Sequence, residues 1–176
     1  MRTKPYQPKN IDDFWKSRID GWLIKGINTC VDNNANIGAA TLIFCYIELF
    51  GSMTCHNPNA TSRNRFYSFC ERYLSKINNN YEKYKQKLYE DFRCGLAHEA
   101  IMKKGTGIFR SDDPGDNGYT NFCSADNALF LDLIALQKDL LIAVMRLKQD
   151  IDIDPDLREN TLKRLRQLKW ELPDEK

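Results

Sequence analysis

Apolar side chains recur along this chain at three- and four-residue steps in six successive blocks, the spacing of one helical face. Asn10 stands where a cap is needed, Asp12 and Asp13 follow in the first turn, and Phe14, Trp15, Ile19, Trp22 and Leu23 mark a first helix. The polar run from Asp32 to Asn36 interrupts it. From Ile37 to Phe50 the chain is apolar nearly all round, which predicts a central helix enclosed by others. Gly51 and the segment Cys55 to Ala60 read as a loop. Thr61 or Ser62 then opens a third helix with Phe66, Phe69, Tyr73 and Ile77 on one face. Tyr81, Tyr84, Leu88, Phe92 and Leu96 predict a fourth, stopped by Lys103, Lys104 and Gly105.

The pattern then changes. Between Thr106 and Phe122, Gly, Asp, Pro and Asn separate two short β-prone pieces, residues 107–110 and 119–122, which predict a long-looped hairpin. Ser124 is placed to cap a fifth helix, with Asp126 in its first turn and Leu129, Leu133, Leu136, Leu140, Val144 and Leu147 along its stripe. Asp154-Pro155 starts a sixth, whose stripe of Leu157, Thr161, Leu165, Leu168 and Leu172 runs to Pro173. The expectation is a mainly all-α protein: an up-and-down bundle of five to six helices with a short hairpin-like insertion over 106–122 and a C-terminal helix over 155–172. At 176 residues it fits one domain.

Composition narrows this picture in four places. With 42% hydrophobic and 28% charged residues the chain can build an ordinary core and does not resemble a disordered segment. A net charge of +2 is too mild to announce a nucleic-acid partner by itself. The apolar run 37–50 contains Glu48 and is shorter than the roughly 20 residues that cross a bilayer, and no apolar signal core follows the first residues, so a cytoplasmic protein without a membrane span is expected. Six scattered cysteines form no Cys-x-x-Cys pair. They read as reduced thiols, and the paired ligand spacings of a structural metal site are missing, so neither a metal nor another cofactor is expected.

Chemistry concentrates in one segment, Tyr89-Glu-Asp-Phe-Arg93-Cys-Gly-Leu-Ala-His98-Glu99, on the fourth helix. The Arg-x4-His spacing, the wording Arg-x-Gly-Leu-x-His-Glu and the place late in a small helical protein resemble the HEPN superfamily, over residues from about 36 to 150. The resemblance implies a bundle that forms a homodimer, so that two motif helices meet in a cleft where many members cleave RNA without metal. Others bind only RNA or nucleotides. It also implies a setting in toxin–antitoxin or phage-defence systems, with an antitoxin or defence partner.

These residue types suit a phosphodiester. Histidine exchanges a proton near neutral pH, and arginine grips a phosphate through two hydrogen bonds. Arg93 and His98 are therefore the candidate catalytic pair. Glu48, Cys94 and Glu99 are candidate supports, Glu48 because a lone carboxylate in an apolar helix must find Arg93, another cation or a hydroxyl. Lys103, Lys104, Arg110, Arg63 and Arg65 are candidate RNA-binding residues on a phosphate-holding rim.

Two features pull the other way. On an α-helix, residues five apart lie about 140° apart around the axis and about 7.5 Å along it, so the pair does not share one face; a long arginine can reach around, and a symmetric dimer would set two Arg93 and two His98 along one groove. Cys94 follows Arg93 where the commonest catalytic wording of the family has a polar residue, which favours a non-catalytic module that binds RNA, a nucleotide or a protein. Structural roles are open to both residues as well: Arg93 can pair with Glu90 or Glu48, and His98 suits a helix end.

Overall fold

The structure, a computed structural model, describes residues 8, 10–112, 122–125 and 128–168. It is mainly helical with one small sheet. Asn10 caps the first helix, α1, over residues 11–32, its side chain accepting the Asp13 amide at 2.8 Å. The middle of α1, Trp15–Ile24, is wound as a π-helix. α2 spans Asn36–Thr54, so the chain stays helical through Gly51 instead of looping there. The reason is close packing on α3, residues 62–74. A Cβ on Gly51 would stand 1.8 Å from the Arg65 carbonyl oxygen, so only glycine lets the two backbones approach this closely.

α2 is the hub of the bundle. It packs on α1, most extensively on α3, and on the motif helix α4, residues 80–99, as well as on α5, Leu133–Ile153, and α6, Pro155–Gln167. By length and composition α2 is apolar enough to cross a membrane, contrary to the expectation from its shorter apolar run. However, 56% of its most apolar stretch is buried against the other helices, as in a core helix. One buried cluster runs from Ile11 and Phe14 at one end of the chain through Phe44, Phe66, Phe92 and Leu140 to Leu157 and Leu165 at the other. The core therefore takes in both flanks of the 36–150 segment. Cys30, Cys45, Cys55, Cys70 and Cys94 carry free thiols.

The insertion departs from the expected hairpin. β1, Thr106–Phe109, does not pair with β2, Phe122–Ala125. Both flank a third strand, β3, Ala128–Asp132, in the order β1-β3-β2. β1 runs parallel to β3, from Thr106 opposite Leu129 to Phe109 opposite Asp132, and β2 runs antiparallel to it. Residues 119–121 of the expected second strand, and Asp126, lie outside the described residues. Ser124 belongs to β2 and caps no helix; Asp132 caps α5 instead, accepting the Ile134 amide at 3.0 Å. Leu129 mimicked the helical stripe because it falls four residues before Leu133. The neighbouring residues show the strand period, with Leu129 and Leu131 buried and Phe130 exposed between them. Gly107 leaves room for the Phe130 ring, which a Cβ there would meet at 2.6 Å. Asp154 caps α6 as expected, accepting the Leu157 amide at 3.1 Å with Pro155 at the first helical position. Leu172 and Pro173 lie outside the described residues.

Candidate functional site

The motif sits on a stretch of α4 that is not α-helical. Leu88–Arg93 and Gly95–Glu99 are π-wound: the Cys94 amide bonds to the Tyr89 carbonyl and the Ala100 amide to the Gly95 carbonyl, each five residues back. Wider winding brings residues five apart over one another, as α-winding does for residues four apart. Two features hold it. A Cβ on Gly95 would meet the Ile101 carbonyl oxygen at 2.5 Å, so the returning chain packs where only glycine fits. Ala100 then ends the helix in the left-handed conformation, at φ 56°.

Arg93 and His98 consequently share a face, and the expected separation of about 140° does not apply. An Arg93 terminal nitrogen, Nη1, lies 3.1 Å from His98 Nε2. A guanidinium only donates, so Nε2 accepts and the ring in this arrangement is the neutral tautomer with its proton on Nδ1. The other terminal nitrogen, Nη2, forms an ion pair with Glu48 at 2.6 Å, and these two side chains keep only 15% and 16% of their surface exposed. The single charge on α2 thus finds the cation it requires, and Arg93 pairs with Glu48 rather than with Glu90. Burial works against the charge on Arg93, but Glu48 and Tyr89 outweigh it and hold the guanidinium pKa above the ordinary arginine value. His98 itself is exposed.

Tyr89 is the floor beneath this pair. Its ring lies 5.7 Å from the Arg93 guanidinium and 5.7 Å from that of Arg63, within cation–π range of both, and its edge packs on Phe66 and Tyr67. Burial and the neighbouring Cys94 thiol push the Tyr89 phenol up. Cys94 therefore serves Tyr89 from this position, and Glu99 stands exposed at the helix end.

The five expected RNA-binding residues separate. Arg65 joins Glu48 and Arg93 around a pocket of about 210 Å³. Arg63 pairs with Glu90 at 3.1 Å, and Lys103 lies 3.9 Å from Asp91 and Lys104 is exposed, both just past the motif helix. Arg110 is not on a rim. It is 8% exposed, donating to the Val31 carbonyl at 2.8 Å and to Asn36 and pairing with Asp112, so it locks the sheet to the turn between α1 and α2.

One site residue escaped the sequence reading. Arg164 of α6 lines the same pocket as Arg93. Its signal was the basic run Lys163, Arg164 and Arg166 on the polar face of a helix taken only as a closing element. Among the described residues no three His, Cys, Asp or Glu side chains converge to hold a metal ion. Comparison of the chain with protein-family models, with curated proteins and with solved structures finds no match.

Proposed function

We propose that this chain is a metal-independent endoribonuclease of the HEPN type, acting in the cytoplasm as a homodimer. The observation that carries the reading is the Arg93–His98 contact of 3.1 Å at the exposed end of a π-wound helix, with the arginine anchored from behind by Glu48. Local π-winding frequently accompanies functional sites, and here it unites two residues that α-winding would part. A neutral His98 takes the proton from a ribose 2′-hydroxyl as that oxygen bonds to phosphorus. The bond from phosphorus to the 5′-oxygen breaks, and the leaving oxygen takes a proton from the His98 of a second copy in its imidazolium form, giving a 2′,3′-cyclic phosphate and a 5′-hydroxyl and exchanging the protonation states of the two histidines. Arg93 stabilises the charge gathering on the phosphate, one arm turning from His98 to the substrate while Glu48 keeps the other. The biological setting that the family resemblance suggests is a toxin or phage-defence effector held by an antitoxin or partner protein.

The test is incubation of the purified wild type and His98→Ala with mixed structured and single-stranded RNA in EDTA, with analysis of the ends formed. Cleavage leaving cyclic phosphates, reduced about 10²–10⁴-fold in the variant, is expected. Equal cleavage by both proteins removes His98 from the reaction. A second reading, a binding module without catalysis, is favoured by Cys94, because a thiol is a poor substitute for an amide or carboxylate as an orienting partner of His98. Binding of RNA by both proteins with cleavage by neither is the result that selects it.

A further inference from the structure

The pocket behind Arg93 continues into a second cleft of about 430 Å³, between the end of α2, the turn after it and the outer face of α6. Ser52, Arg65 and Arg164 line both, so the two form one groove. Lys163, Arg166 and His56 extend it away from the motif; no described carboxylate lines this second part, although Lys163 pairs with Glu159 one turn earlier on α6 at 2.6 Å.

Its walls are built rather than draped. Asn160 of α6 donates to the Met53 carbonyl at 2.7 Å and to the Cys55 carbonyl at 3.2 Å, stitching α6 to the end of α2. Across the groove, Arg65 donates to the Pro58 carbonyl at 3.3 Å. Like charges are forced together in between: burial, and then Arg65, push the Arg164 pKa below its ordinary value. The buried Nε of Arg164 has no hydrogen-bond partner. Arg65 and Arg164 both line the groove, and two cations on one groove favour an anion whose oxygens take a donor from each.

We propose that this groove binds the phosphodiester backbone of an RNA strand, on the side of Arg93 away from His98. The inference rests on the ribonuclease reading for the choice of RNA, since the groove opens onto the pocket of the same arginine. The strand would pass from the motif helix over α6, with Arg65 and Arg164 on the phosphates nearest the reacting linkage and Lys163 and Arg166 on those beyond.

The test uses a fluorescent single-stranded 2′-O-methyl oligonucleotide, which presents the backbone but has no 2′-hydroxyl to attack, so binding is read apart from cleavage. Affinity is measured by anisotropy across a potassium chloride series for the wild type and for the double variant Lys163→Gln/Arg166→Gln. Both lysine and arginine are exposed, and an unchanged thermal melt verifies the fold. The double variant is expected to bind at least about tenfold more weakly, with the slope of log K against log salt reduced by about 0.7 for each phosphate no longer neutralised. Arg65→Gln, altering the opposite wall, is expected to weaken binding in the same sense. Wild-type affinity and slope in both the double variant and Arg65→Gln overturn the groove even where His98 cleaves RNA, and so does failure of the wild type to bind. Loss of the cleavage chemistry alone leaves the binding result standing.

Discussion

One guanidinium holds two appointments. Arg93 neutralises Glu48 inside the bundle and presents its other arm to His98 outside it. Removing one partner of an ion pair this sheltered leaves the other charge buried, so Arg93→Ala is expected to lower stability by about 3 kcal/mol in urea denaturation. His98 is exposed, and His98→Ala is expected to shift stability by less than about 0.5 kcal/mol. Equal losses from the two substitutions would show that the ion pair carries no structural load. The asymmetry also decides how activity is read: inactivity of an Arg93 variant mixes chemistry with folding, whereas inactivity of a His98 variant does not. Glu48 was legible in the sequence, because one carboxylate in an otherwise apolar helix sets a demand that few side chains can meet. Arg164 was not, because nothing local says where the far end of α6 comes to rest. Arg110 misled for the same reason. A basic residue beside a turn looks solvated until the sheet folds it against the Val31 carbonyl.

Periodicity alone located the helices, and tertiary contact then set their ends and winding. Gly51 read as a terminator, yet α2 passes through it because α3 lies almost on its backbone. Gly51→Ala must therefore push α3 away or unwind the last turn of α2. It is expected to cost about 3 kcal/mol, at the upper end of overpacking, where an alanine in a free helix would help. A thermal melt unchanged by the substitution would mean that the two helices can part freely. The strand β3 was missed because Leu129 fits a stripe of period four as well as the alternation of a strand, and only its pairing with both neighbours breaks the tie. The π-winding of α4 had no signature that periodicity could read. It follows from contact between Gly95 and the returning chain, which appears only once Ile101 is in place.

Across the whole molecule, two tyrosines moor neighbouring helices to α5. Tyr81 of α4 donates to Asp139 at 2.8 Å, and Tyr73 of α3 donates to Asp150 at 3.0 Å. Burial first, and then the facing aspartates, push both phenols well above the ordinary tyrosine value. The folded state therefore keeps protons that the unfolded chain releases above about pH 10. Their contribution to stability is complete below that pH and declines as pH rises through it toward the folded values. Denaturation midpoints measured from about pH 8 to about pH 11 should fall steeply at the alkaline end, and less steeply in Tyr73→Phe, where one of the two groups is gone. A flat profile would place these phenols in water. The winding of α4 has a reach of its own at this scale. Each residue of a wider turn advances the chain around the axis by a smaller angle than an α-residue does, so the π-wound stretch acts as a phase slip. Everything downstream of Leu88, from the histidine to the sheet that leaves the helix after it, is aimed by that accumulated lag. The five-residue interval between Arg93 and His98 thus works as a gauge of helical pitch: the same letters wound as an ordinary α-helix would spell a different surface.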